Sequence, residues 1–255
     1  MRLEAKNLKI GYKNPEKIVL DNINLEFNGA DLIAVIGVNG IGKSTLLKSF
    51  GGIIPTLGGD FFIDNKSIRK YNQKELAKKI SIVLTKQPQP QNLSISDFVA
   101  LGRQPYTNWL GINSDNDKKK VNEAIKQVEL FDLRNDRLVN LSDGQLQKAL
   151  IARAIAQDTD IILLDEPTSH LDLYYKALIF KLLKKISSNA KKAVLFATHE
   201  MNLSLQICDQ IILIKDNQII KQTPEKLIES GILTNLFPND SILFDNKTGQ
   251  FNINP

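Results

Sequence analysis

The run Asp31-Leu32-Ile33-Ala34-Val35-Ile36 and the glycine-rich octet that follows it constrain this chain more than any other stretch. The run is apolar after its first residue, as expected of a strand buried on both faces in a parallel sheet covered by helices. Gly37-Val38-Asn39-Gly40-Ile41-Gly42-Lys43-Ser44 comes next, then Thr45, and a helical pattern extends from about Lys43 to Phe50. Strand, loop and helix in that order make a phosphate-binding loop. Its backbone N–H groups converge on a β-phosphate at the helix N-terminus, Lys43 reaches the β- and γ-phosphates, and the Ser44 hydroxyl is offered to Mg²⁺. A glycine turn that merely joins two elements is disfavoured by the apolar strand before it.

The rest of the pattern fits an α/β core. Residues 1–30 alternate apolar and polar (Leu3, Ala5, Leu8, Ile10; Ile18, Leu20, Ile23, Leu25, Phe27), which reads as half-exposed antiparallel strands with turns at Gly11 to Pro15 and at Asn28-Gly29. Phe61 to Ile63 and Ile80 to Leu84 read as strands, with a helix over Gln73 to Lys79 between them. After the proline-rich Lys86 to Pro90 the pattern is helical near Ser96 to Leu101, Asp117 to Val128 and Gln145 to Ala156, with a loop over Asn108 to Asn116. Strands resume at Ile161 to Leu164, Ala193 to Ala197 and Ile211 to Ile214, separated by helices over Tyr174 to Ile186 and Asn202 to Ile207. A parallel core interrupted by a helical insertion fits this order. A short helix at Pro224 to Ser230 is expected, then two strand-like pieces, Ile242 to Phe244 and Phe251 to Ile253, about a turn at Asn246 to Gly249.

Composition narrows the class. With 42% apolar and 24% charged residues among 255, one substantial domain has material for a core. The formal charge of +5 suits a phosphate ligand or an anionic membrane surface and requires neither, since solvated lysines account for it. A single cysteine, Cys208, excludes an internal disulfide and reads as a small buried hydrophobe. No stretch approaches the roughly 20 apolar residues of a membrane span, and Met1 to Glu4 leads directly into strand-like sequence, so the chain is expected in the cytoplasm.

Two further strand ends carry chemistry. Ile161 to Leu164 ends in Asp165-Glu166, which puts Asp165 where it can hold Mg²⁺ and Glu166 where it can face an attacking water. Acidic residues often end strands by chance, and the phosphate loop is what gives this pair weight. His199 follows Ala193 to Thr198, again just past a buried strand, where it can hydrogen-bond a γ-phosphate and orient that water. His170, in Ser169-His170-Leu171-Asp172, reads as an interface residue. Leu141-Ser142-Asp143-Gly144-Gln145 opens a helix with Ser142 as cap, and taken alone is simply a helix start.

Assembled in this order and spacing, these residues resemble the nucleotide-binding subunits of ATP-binding-cassette (ABC) transporters over about residues 1–230, leaving 231–255 as a tail with a possible β-hairpin. The resemblance implies a RecA-like P-loop NTPase core with an antiparallel β subdomain and an inserted helical subdomain over about 87–156. Gly37 to Thr45 match the Walker A loop, Leu141 to Gln145 the signature usually written LSGGQ, Asp165 and Glu166 Walker B and its catalytic glutamate, Ser169 to Asp172 the loop linking two sites, and His199 the switch histidine. It implies that Tyr12 stacks on adenine and that a glutamine following Ile80 to Leu84 senses Mg²⁺ and water. Lys86 stands at the family spacing and Gln87 one residue later, so Gln87 is the candidate for both a catalytic and a metal-binding role. Asp143 replaces the second glycine of the signature and is expected to turn its carboxylate away from the γ-phosphate, which it would otherwise repel.

The resemblance implies ATP and Mg²⁺ as ligands, a second copy of the chain completing each site through Leu141 to Gln145 and Asp172, and a separately encoded membrane permease dimer on the cytoplasmic face, contacted by Gln87 to about Leu110. A substrate-binding protein would act indirectly, and no nucleic acid is expected. Phe98 to Tyr106 looks like the segment of importer subunits for iron-siderophores, haem and cobalamin. The alternative is a soluble non-transport ATPase of the same superfamily, a cofactor-assembly scaffold or DNA-repair type; the chain carries neither a coiled-coil insertion nor a second cassette to support it.

Overall fold

The computed structural model describes residues 2–84, 90, 92–107, 112–234, 236–237, 242–246 and 248–254. In chain order it begins with β1 (Arg2–Lys13), β2 (Glu16–Asn28), β3 (Leu32–Ile36), α1 (Lys43–Phe50), β4 (Gly58–Ile63), β5 (Lys66–Ser67), α2 (Gln73–Ala77) and β6 (Ile80–Val83). A helical stretch follows, α3 (Ile95–Ala100), α4 (Asp115–Gln127) and α5 (Asp143–Ala156). The chain then alternates β7 (Ile161–Asp165), α6 (Leu173–Ala190), β8 (Ala193–Ala197), α7 (Met201–Ile207) and β9 (Gln210–Lys215). It closes with β10 (Gln218–Gln222), α8 (Pro224–Glu229), β11 (Ile242–Asp245) and β12 (Gln250–Ile253).

Two sheets share the core. A six-stranded sheet runs β10-β9-β3-β8-β7-β6, parallel except for β10, and a four-stranded antiparallel sheet runs β2-β1-β4-β5. The continuous apolar runs are explained by burial on both faces. Ala34, Leu164 and Phe196 face one apolar cluster beneath α3 to α7, while Ile33, Val35 and Leu195 face a second beneath α1 and the antiparallel sheet. Phe50 at the end of α1 stacks on Phe61 of β4 at 4.4 Å and meets Phe27 of β2 edge-on at 5.9 Å, which fastens α1 to the antiparallel sheet.

Several boundaries move from the expected ones for local reasons. β1 continues through Gly11 to Lys13, leaving only Asn14-Pro15 as the turn, because a glycine lets β2 pass where a Cβ would lie 2.0 Å from the Lys17 carbonyl. Helices begin at their caps instead of at the first apolar residue: Ser114 and Ser142 each form reciprocal capping boxes, so α4 and α5 start two residues before the periodicity suggests. Asn72 caps α2, which stops at Ala77 because β6 pairs from Ile80. The segment after α3 tightens into a 3₁₀ helix, Leu101–Tyr106, whose Arg103 turns inward to Asp117 (2.8 Å) and to the Ala156 carbonyl (2.8 Å). β5 and β10 lack an apolar run and were not expected. β11 and β12 pair antiparallel, and Phe244 and Phe251 join an aromatic group with Phe237. Cys208 is buried, and burial pushes its thiol far above the ordinary range.

Candidate active site

Strand order places the chemistry. β3 lies beside β8, and β8 beside β7, all parallel, so their carboxyl ends open along one edge of the sheet. The phosphate loop leaves β3, Asp165-Glu166 ends β7, and Thr198-His199 follows β8. An open cleft of about 520 Å³ lies there, lined by Tyr12, Lys17, Ile18 and Val19 from the antiparallel sheet, by Asn39 to Thr45, and by Glu166 and Asn217.

Within the loop, Gly42 starts α1 with φ +113, and a Cβ there would sit 2.6 Å from Val19 Cγ1. Both conditions require glycine. Lys43 is buried, and its ammonium donates to the carbonyls of Gly37 (2.9 Å) and Val38 (3.2 Å). Burial lowers the Lys43 pKa, while Glu166 and Asp165 act in the opposite direction. The Ser44 hydroxyl donates to Asp165 Oδ1 at 2.5 Å, so the first residue after the lysine and the end of β7 already present two oxygens to one point. Thr45 is buried, its hydroxyl 3.2 Å from that of Tyr12, and Tyr12 stands on the cleft rim with 45% of its surface exposed.

Glu166 takes a left-handed backbone, φ +51, and its N–H bonds to the Ala197 carbonyl at 3.0 Å, which ties the ends of β7 and β8. Its Oε2 lies 2.8 Å from His199 Nδ1. His199 Nε2 lies 3.0 Å from Glu200 Oε1, and that carboxylate also pairs with Lys176 of α6 at 2.6 Å. The reading from sequence missed Glu200; adjacency to His199 was the signal available. It also missed Lys17, Ile18, Val19 and Asn217, which reach the cleft only through tertiary packing.

The structure does not bring Leu141 to Gln145 or Asp172 into this cleft. Ser142 and Asp143 are exposed at the start of α5, where Ser142 accepts from the Gln145 N–H and Gln145 accepts from the Ser142 N–H. Gly144 is buried against the Tyr175 ring, and the Asp172 carboxylate caps α6 by accepting from the Tyr175 N–H at 2.8 Å. Helix starts of this kind leave backbone donors facing outward, suited to an anion carried by another molecule. Gln87 and Lys86 lie outside the described residues, as does Asn108 to Gly111 of the expected loop.

Among the described residues no three His, Cys, Asp or Glu side chains gather into a metal site. The Ser44 and Asp165 oxygens are hard donors of the kind Mg²⁺ takes when nucleotide phosphates and water supply the rest. Among the described residues no helix is long and apolar enough to cross a membrane.

Known proteins share this architecture. A family model described as ABC transporter matches residues 20–169. The petrobactin import ATP-binding protein FpuD of Bacillus anthracis is 34% identical over 236 residues, covering 92% of this chain and 86% of its own. A solved metal-chelate type ABC transporter in an inward-facing conformation superposes with TM-score 0.80 at 31% identity, over 92% of this chain and 88% of that one. A dimeric ATP-binding cassette in a post-hydrolysis state, bound to ADP and Pi, superposes with TM-score 0.74 at 30% identity, over 87% and 98%.

Proposed function

Starting from a chain that belongs to the ABC transporter family and is an ATPase of that family, we propose that two copies close head to tail around ATP and drive a membrane permease that imports an iron chelate or a cargo of similar type, haem or cobalamin. The observation that carries the ATPase mechanism is the pairing at the sheet edge, Ser44 with Asp165 and Glu166 with His199.

In this reading Lys43 leaves the Gly37 and Val38 carbonyls to meet the β- and γ-phosphates, and the loop N–H groups hold the β-phosphate. Tyr12 supports the adenine from the rim. Ser44 and Asp165 would hold Mg²⁺, with Gln87 as a further ligand; when bound, the ion supplies charge neutralisation at the β- and γ-oxygens. Glu166 accepts a proton from the attacking water, and His199 holds Glu166 and the γ-phosphate in register. The exposed start of α5, Ser142 to Gln145 with Leu141 behind it, faces the nucleotide of the partner copy, and Asp172 lies at the seam between the two sites. The cargo class is supported by similarity to a petrobactin import subunit and a metal-chelate type transporter. Membrane association on the cytoplasmic face would come through the permease, and a substrate-binding protein would serve that permease from outside.

The test is Glu166→Gln. A general base contributes about 10²- to 10⁴-fold, so steady-state hydrolysis should fall by at least about 100-fold while ATP binding persists. Hydrolysis at the parental rate would overturn the assignment. Pull-down of a permease with this chain, together with loss of iron-chelate uptake on its deletion, supports transport; turnover stimulated by nucleic acid with no permease attached supports the soluble alternative.

A further inference from the structure

The tail beyond α8 has no part in the mechanism above, yet it packs beside the segments that follow β3 and β8. Leu236 and Phe237 close a cavity of about 330 Å³ against Val38 and Ile41 of the phosphate loop. Phe237, Ile242 and Phe251 close a second, of about 250 Å³, against His199, Glu200 and Asn202. Phe251 is edge-on to Phe237 at 5.5 Å and to Phe244 at 4.8 Å, so the β11–β12 pair and Phe237 form one aromatic unit.

One polar contact fastens that unit to α7. The Asn202 amide grips the main chain of Phe251 from both sides: its Oδ1 accepts from the Phe251 N–H at 2.8 Å and its Nδ2 donates to the Phe251 carbonyl at 3.3 Å. Asn202 sits in the first turn of α7. In that same turn the Met201 N–H bonds to the His199 carbonyl at 3.0 Å, and the Glu200 N–H bonds to the Thr198 hydroxyl at 3.0 Å. The backbone carrying His199 is thus fixed by a turn that is itself fixed by the tail. Glu200 steadies the ring from the far side.

We propose that Asn202 is a positioning residue for the hydrolytic step, and that the C-terminal hairpin is a built-in brace that sets the orientation of His199 towards Glu166. The inference rests on the ATPase reading of Glu166 and His199. Asn202 and Phe251 line the cavity beside His199 and are absent from the one beside Val38 and Ile41, so loosening the brace at that point leaves nucleotide binding intact and slows turnover.

The experiment compares Asn202→Ala and Phe251→Ala with the parent and with Glu166→Gln, all as full-length chains, by steady-state ATP hydrolysis and thermal melting. Displacement of a catalytic group by a fraction of an ångström predicts a fall in kcat of about 3- to 30-fold for both brace variants, with KM for ATP unchanged within about twofold. A merely structural role would lower melting temperature and active fraction without a split between kcat per folded molecule and KM. Parental kcat in Asn202→Ala, with Glu166→Gln inactive, overturns the brace and leaves the ATPase reading standing. Parental kcat in Glu166→Gln overturns the reading beneath it. Should Phe251→Ala not fold, Asn202→Ala decides alone, because Asn202 is half-exposed and its truncation opens no core cavity.

Discussion

Gly144 offers the most quantitative test of how the exposed helix start is held. An added Cβ would lie 2.4, 2.6 and 2.9 Å from three carbons of the Tyr175 ring. Ordinary carbon contact is about 3.5 Å, so in Gly144→Ala the ring or the start of α5 must move by about 1 Å. Overpacking of this kind costs about 1–3 kcal/mol, and the better helix propensity of alanine offsets up to about 1 kcal/mol of it. A net loss of about 0–3 kcal/mol lowers Tm by no more than roughly 12 °C in a chain of this size. In the proposed dimer turnover is more sensitive, because a 1 Å shift of positioned groups costs up to about 100-fold. Melting and steady-state ATPase assays on Gly144→Ala should therefore show a small fall in Tm and a large fall in kcat. Adding Tyr175→Leu, which removes the obstructing ring, should restore much of the activity. Unchanged kcat in Gly144→Ala, or a double variant no better than the single, refutes the reasoning that Tyr175 sets the register of the α5 N-terminus.

Other outcomes follow from single contacts. Arg103→Leu leaves Asp117 buried without its guanidinium and removes the bond to the Ala156 carbonyl; the loss should be about 3–5 kcal/mol by denaturant unfolding, as for other broken buried pairs. The Asp117 carboxyl is held below its ordinary value of 3.8, first by the Ser114 hydroxyl and also by Arg103, against the opposing effect of burial. Its folded pKa being depressed, its contribution is fully present above the ordinary value and disappears as pH falls through the folded one, so Asp117→Asn should flatten the acid limb of a stability–pH curve relative to the parent. Cys208 is buried and its thiol is held protonated, so a thiol reagent at neutral pH should label the native protein only at the rate of unfolding; fast labelling without denaturant contradicts the burial.

What could be read in the sequence was what short-range pattern encodes. β3, β7 and β8 are legible because burial on both faces leaves a run of apolar residues, and the groups just past their ends, Lys43, Ser44, Asp165, Glu166 and His199, are legible because a parallel sheet gathers its carboxyl ends at one edge. The helix starts at Ser114 and Ser142 are written in their capping boxes, although apolar periodicity places the boundary too late. What escaped depends on distance in space. Nothing local signals that β1 runs through Gly11, since the reason is the Lys17 carbonyl on the next strand. Asn202 and Phe251 are 49 residues apart, and neither looks unusual alone. Glu200 acquires its second partner only when α6 brings Lys176 across to it.

The central claim is that each nucleotide is enclosed between two copies of the chain, and the most direct measurement is the mass of Glu166→Gln in solution, by sedimentation, with and without ATP. A shift from one chain mass to twice that mass when ATP is added, reversed on its removal, is the predicted result. A chain that remains single at saturating ATP, while the parent hydrolyses at a rate per chain unaffected by dilution, contradicts the account.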